Sequence, residues 1–236
     1  MSPGLEQTLA WMRAGEAVAA SAVERLSDGD LSGPSLLPDW TRAHVVGHLA
    51  RNAEALGRLA SWARTGVPTP MYSDPSQRAA DIEASSVLPT DVLRREIATT
   101  AADLDAGLAA LDAAGWRAEV RSALGRAIGA EEIPWLRTRE VWLHAVDLDA
   151  GVTTADIPAE VVDALLDDIV GMMSARPDCP ARLLVAPDRS WNLGRETAPE
   201  GQLHGAAHEL LGWLAGRTSG SSLVVLGERS APPPWI

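Results

Sequence analysis

Apolar residues recur at helical spacing in four stretches of the first two-thirds of the chain. The first runs from about Leu5 to Leu26, with Leu5, Leu9, Met12, Val23 and Leu26 on one stripe padded by alanines. The second follows Pro38 and Asp39, takes Thr41 as its N-cap and reaches about Arg64, where Gly66 and Pro68 stop it. The third begins at Thr90 and carries Leu93, Ile97, Leu104, Leu108 and Leu111 on a common face. The fourth opens near Pro134, a residue suited to a first helical turn, and continues to Gly151. Four long amphipathic segments of this kind predict a helical bundle. Between the second and third, roughly 66–89, the prolines 68, 70 and 75 predict a long irregular connection lying over the bundle.

After Gly151 the pattern shortens. Ile157 to about Ser174 reads as a helix, and Arg182–Ala186 and Ser190–Gly194 read as turn-bounded strands. Leu203–Gly216 reads as a further helix and Leu223–Leu226 as a strand, while the tail Ala231-Pro-Pro-Pro-Trp235 suits neither. The expectation is an α+β chain of two domains without internal repeats. A four-helix bundle occupies residues 1–153 and a small C-terminal α/β domain occupies 154–236.

Composition narrows the function classes. A hydrophobic fraction of 46% describes a chain able to bury a core. No apolar run has the length of a membrane span, and the N-terminus lacks the basic-then-apolar order of a signal peptide, which predicts a cytoplasmic protein with no membrane partner. A net charge of −12 leaves no basic stripe for phosphates, so nucleic acid is not expected as a partner. Small anions need only one or two placed arginines and remain open. The acidic surface favours solubility and allows a monomer or a weak dimer. The single cysteine, Cys179, excludes an internal disulfide and sits in a Pro-rich stretch with no close cation but Arg176. Any thiol chemistry here would draw its thiol from a cofactor.

The histidines carry the chemistry. Val45, His48, Leu49, Asn52, Leu56 and Leu59 share the core-facing stripe of the second helix, so His48 looks inward. On the fourth, Leu136, Glu140, His144 and Leu148 form an i, i+4 line, which stacks a carboxylate and an imidazole among leucines. A carboxylate buried there is costly unless it is paired, hydrogen-bonded or metal-bound. His48, Glu140 and His144 are three ligands of the kind that hold Zn²⁺ or another divalent metal while leaving a position open for catalysis. The same spacing also fits a polar pair and a hydrogen-bonded core histidine. His44, one turn before His48, is a possible fourth ligand or a first-turn residue facing the loop. His204 and His208 are a possible second metal pair.

At these residues the chain resembles a known family. Leu36-Leu-Pro-Asp-Trp-Thr-Arg-Ala-His-Val-Val-Gly-His48 with Leu-Ala-Arg-Asn52, and Arg139-Glu-Val-Trp-Leu-His-Ala-Val-Asp-Leu148, resemble the second and fourth helices of the DinB-like metalloenzymes. Asn52–Trp62, Thr65-Gly66, Thr69-Pro-Met-Tyr72 and the ending in Pro-Pro-Trp235 are similar to the mycothiol-dependent maleylpyruvate isomerases. The resemblance implies zinc on His48, Glu140 and His144, and mycothiol as the thiol cofactor. It also implies a C-terminal domain that places a catalytic arginine over the metal cleft. Arg217, in Trp213-Leu-Ala-Gly-Arg217, matches that motif; by position alone it is also a helix C-terminal cation favoured by the macrodipole.

The implied reaction is the cis–trans isomerisation of maleylpyruvate, a small anionic substrate, to fumarylpyruvate in gentisate-type aromatic degradation. Thiolate addition turns the double bond single, and rotation and thiol elimination complete the cycle. Zinc would lower the thiol pKa or polarise an oxygen, and an arginine would bind carboxylate or enolate charge. Arg42, Arg137 and Arg139 are further candidates for anion contacts. Two alternatives stand beside this one: a mycothiol S-transferase acting on another electrophile, and a metal-binding bundle without catalysis.

Overall fold

The longest helix shows how short-range chemistry sets the frame. Thr41 accepts a hydrogen bond from the His44 backbone N–H, and His44 Nδ1 accepts one from the Thr41 N–H at 3.2 Å. This is a capping box with histidine in the place usually taken by Glu or Gln. At the far end Gly66 adopts the left-handed conformation (φ 72°) and returns its N–H to Trp62. In the computed structural model, which describes residues 3–195 and 199–227, this helix is α3 (Arg42–Thr65).

Around it lie α1 (Leu5–Arg25), α2 (Asp28–Leu31), α4 (Pro75–Ser86), α5 (Thr90–Ala109), α6 (Ala113–Trp116), the hairpin β1 (Glu119–Arg121) and β2 (Ala127–Gly129), and α7 (Ile133–Asp147). These belong to one unit, Pro3–Val152. Within it α1 packs on α7, and α3 packs against α4, α5 and α7. Met12, Leu56, Leu59, Leu104, Leu108 and Ile133 meet in the core. Gly47 permits the close approach of α3 and α4: a Cβ there would stand 2.5 Å from Ser85 Cβ.

Two sequence expectations are corrected in this unit. The connection 66–89 is not irregular throughout, because α4 occupies half of it. Asp74 accepts from the Ser76 and Gln77 N–H groups, and a proline at the first helical position has no N–H to lose. The proline read as a breaker is a helix start. The fourth helix ends at Asp147 rather than Gly151, followed by Asp149 and Gly151 at positive φ.

The second unit begins at Thr153. It contains α8 (Ala159–Ser174), β3 (Arg182–Val185), β4 (Ser190–Leu193), β5 (Gly201–His204), α9 (Ala207–Leu214) and β6 (Val224–Gly227). The sheet order is β4-β3-β5-β6, with β3 and β5 parallel and the outer pairs antiparallel. α8 packs on β4 and α9. The expected helix from Leu203 is corrected: Leu203 is buried in β5, opposite Leu184, and the helix begins four residues later. Apolar spacing alone does not separate the end of a strand from the start of a helix. The fold is α+β, and the Pro-rich tail lies outside the described residues.

Candidate metal centre

α3 and α7 bring the three expected ligands together. His48 Nε2 lies 2.8 Å from Glu140 Oε2, and His144 Nε2 lies 3.4 Å from the same oxygen. One ligand atom from each residue falls within 4.8 Å of the others, the one such group among the described residues. Both histidines are buried, and Glu140 retains slight exposure, so the cluster opens on its carboxylate side.

The approach to α3 covers the group. Leu36 N–H donates to the Asp147 carbonyl, and Arg42 donates to the Leu148 carbonyl at 2.6 Å and to the Asp149 carboxylate at 3.2 Å. These bonds cap the C-terminus of α7 with a cation and tie the 36–42 segment across it. Trp40 is thereby laid beside His44 and His144, nearly parallel to both rings, and edge-on to His48 at 5.6 Å.

Asp147 sets the electronic state of His144. Its Oδ2 lies 2.8 Å from His144 Nδ1, and Asp147 is fully buried. A neutral imidazole carries one proton, and Asp147 claims it at Nδ1. The lone pair on Nε2 then faces the Glu140 oxygen, acceptor against acceptor, an arrangement that a cation between them resolves. His48 Nδ1 is buried with no hydrogen-bond partner among the described residues, which leaves Nε2 as the only directed nitrogen of that ring. The donor set therefore fits a divalent ion of the His₂Glu type, with a carboxylate orienting one ligand from behind.

Proton affinities follow. Burial holds the His48 pKa down at about 4, against the pull of the Glu140 hydrogen bond. Burial opposes charge on His144 too, but hydrogen bonds to Asp147 and Glu140 outweigh it and raise its pKa. Burial would raise Glu140; hydrogen bonds with His144 and His48 prevail and keep its carboxyl well below the usual carboxylate range.

The other candidates separate. Arg139 borders the trio, 3.9 Å from Glu140 Oε1. Arg42 is spent on the α7 terminus. Arg137 is fully buried and binds Glu16 at 3.1 Å, the Leu49 carbonyl at 2.7 Å and Asn52 Oδ1 at 2.9 Å, so it is corrected from anion contact to a clamp between α3 and α7. His44 is committed to the helix cap and, through Nε2, faces Glu83 at 3.5 Å. His204 sits on β5 bound to Gln202 while His208 sits on α9, so they are not one helical turn apart. Arg217 follows a Schellman terminus on α9: its N–H reaches the Gly212 carbonyl, and Gly216 (φ 75°) reaches Trp213. Its guanidinium meets the Ala215 carbonyl. Burial, together with Asp178, raises the Cys179 pKa and disfavours a thiolate.

Sequence reasoning missed three neighbours. Asp147, at i+3 from His144, was legible from helical spacing. Tyr72 and Arg78 were not, because they reach the site only through the fold of 66–86. Burial raises the Tyr72 pKa, with Arg78 and Glu140 both within electrostatic reach, and Arg78 also acts on His48.

Bundle and trio together define a helical-bundle protein with a buried His₂Glu metal-type centre and an appended α+β domain. Two family models match: the mycothiol maleylpyruvate isomerase N-terminal domain over residues 11–149 and the MDMPI C-terminal domain over 156–234. The chain belongs to the mycothiol-dependent maleylpyruvate isomerase family of enzymes. Two solved structures are similar, the crystal structure of the mycothiol-dependent maleylpyruvate isomerase and that of a histidine-to-alanine mutant of it. Each is 33% identical, with a TM-score of 0.93 over 99% of this chain and 98% of the other. No curated protein sequence matches the chain significantly.

Proposed function

We propose that this chain is a zinc- and mycothiol-dependent isomerase that converts maleylpyruvate to fumarylpyruvate in gentisate-type aromatic degradation. The observation that carries the reading is the convergence of His48, Glu140 and His144, with Asp147 behind them, in a chain matched from end to end by that family.

Each residue takes a defined part. His48, Glu140 and His144 hold the ion, and the Asp147 carboxylate keeps the His144 proton on Nδ1 so that Nε2 can ligate. When bound, the ion would supply Lewis acidity, and mycothiol would supply the thiolate whose addition makes the cis bond single and free to rotate and whose elimination restores the double bond. Trp40 shields the histidine side from water, which strengthens electrostatic contacts on that side. Arg139, 3.9 Å from Glu140, sets a positive charge beside the trio that favours an anionic substrate. Arg217 is assigned a catalytic part, as the cation that meets carboxylate or developing oxyanion charge; the family resemblance supports that assignment. A cytoplasmic location agrees with this chemistry, and no helix among the described residues is long and apolar enough to cross a membrane.

The test is product formation from maleylpyruvate, with metal-loaded protein, with and without mycothiol. Fumarylpyruvate formed only when metal and thiol are both present, with the thiol unconsumed, supports the isomerase. A persistent thioether would replace it with the S-transferase, and no turnover with zinc bound would leave a metal-binding bundle.

A further inference from the structure

A histidine that ligates a metal through one ring nitrogen is ordinarily steadied by a hydrogen bond on the other. His144 has that support in Asp147. His48 does not. Its Nδ1 is buried with no hydrogen-bond partner among the described residues. No directed bond behind the ring therefore fixes its turn about Cβ–Cγ, a torsion that is broad for histidine. Its Nε2 nevertheless lies 2.8 Å from Glu140 Oε2. What confines the ring is other rings. His144 stands edge-on to it, with centroids 4.7 Å apart at 86°, and Trp40 meets it at 5.6 Å and 61°. Trp40 also lies 6.5 Å from His144 at 25°, so one indole borders both imidazoles.

The backbone adopts an uncommon conformation to put that indole there. Asp39 has a φ of 64°, in the left-handed region that side chains disfavour. It follows Pro38, and the Trp40 N–H closes the turn on the Leu37 carbonyl at 3.3 Å. Proline followed by a left-handed residue is the pattern of a type II turn, where glycine is usual in Asp39's place. Both flanks of the turn are anchored. The Trp40 carbonyl accepts from the Ser35 N–H and the Ser35 hydroxyl, each at 2.9 Å, and the Leu36 N–H donates to the Asp147 carbonyl at 2.9 Å. Asp147 thus orients His144 through its side chain and holds the Trp40 turn through its backbone.

We propose that Trp40 is a positioning residue of the metal centre. It confines the His48 ring by packing, in place of the hydrogen bond that His48 lacks, and the left-handed turn at Asp39 sets the indole. The inference rests on the metal reading proposed above and adds what keeps its unsupported ligand in plane.

The experiment uses the full-length chain and two readouts. NMR follows the ring nitrogens of ¹⁵N-histidine-labelled, metal-free protein, and chelator competition measures zinc affinity. Trp40→Leu keeps apolar bulk without the ring. In it the His48 signals should broaden while those of His204 and His208 stay as they are. Zinc affinity should fall roughly tenfold, the low end for loss of support behind a ligand. Trp40→Phe keeps an aromatic face and should restore most of both. Asp39→Gly takes the left-handed turn freely and should match the wild type. Asp39→Val resists that turn and should move both readouts toward those of Trp40→Leu, with the indole still present. A lower melting temperature in Trp40→Leu, with His48 signals and zinc affinity unchanged, would reduce Trp40 to packing and overturn the proposal while leaving the metal reading intact. A wild type that holds no zinc, with His48 signals sharp there and broadened in Trp40→Leu, keeps the positioning role and removes the metal reading.

Discussion

Two buried polar clusters lie one helical turn apart on α7, and they differ in what they lack. Around Arg137, the Glu16 carboxylate, the Leu49 carbonyl and the Asn52 amide oxygen each face a guanidinium N–H. Charge and hydrogen bonds close within the protein, and the cluster locks α3 to α7. Around Glu140, two histidines and Asp147 supply acceptors in excess of protons once His144 is neutral. That cluster closes only with a proton or a metal ion. The same cost of burying polar groups yields a clamp in one place and a candidate ligand set in the other, and donor-acceptor balance decides which.

Four experiments break or sharpen this contrast. The largest effect belongs to His48→Ala, which removes one of three ligands and should abolish stoichiometric zinc and turnover while helical content stays; full zinc content by metal analysis would sink the ligand assignment. Next, Arg137→Met leaves the largely covered Glu16 carboxylate, the Leu49 carbonyl and Asn52 without their partner and should cost about 3–5 kcal/mol in urea unfolding of the metal-free protein. The double change Glu16→Leu with Arg137→Met should recover part of that loss, the remainder being the Leu49 carbonyl and Asn52 amide oxygen left without a donor, and no recovery would mean that the Glu16 charge is not what the clamp satisfies. Asp147→Asn should lower zinc affinity about 10–100-fold in a chelator competition, with stability little changed, because its work is to orient His144. An unchanged affinity would remove Asp147 from the centre.

The smallest effect is a proton count. His48, with a pKa of about 4, is neutral at pH 6, whereas His144, raised above its ordinary value, is charged there in the metal-free protein. Zinc binding at pH 6 should therefore release about one proton, from His144 Nε2. Affinity falls as pH drops below the raised His144 pKa, and falls more steeply near pH 4 as His48 also protonates. Calorimetry in buffers of different ionisation enthalpy reads the count; a value near zero at pH 6 would contradict the state assigned to His144.

Much of this was written in the chain's periodicity. The stripe Val45-His48-Leu49-Asn52-Leu56-Leu59 is buried as spaced, because a helix turns its i, i+3 and i+4 positions to one side whatever surrounds it. The stacking of Glu140 on His144 follows for the same reason. Helix α4 and strand β5 were less legible. Asp74-Pro75 is a start signal that three clustered prolines obscured, and Leu203 fits a strand as well as a helix until the parallel pairing with Leu184 is known. The fates of the arginines were illegible: Arg42, Arg137 and Arg139 are alike in sequence, and only their neighbours separate a cap, a clamp and a residue bordering Glu140.

The sequence by itself determined the four long helices of the bundle, their inward faces and the identity of the three candidate ligands, since helical geometry is local and repeats every few residues. The tertiary structure alone decided that His48 meets Glu140 across two helices and that Arg137 is spent on the Leu49 carbonyl and Asn52. Those outcomes depend on contacts between residues 85 to 92 positions apart. No local preference encodes them; packing and the pairing of buried charge do.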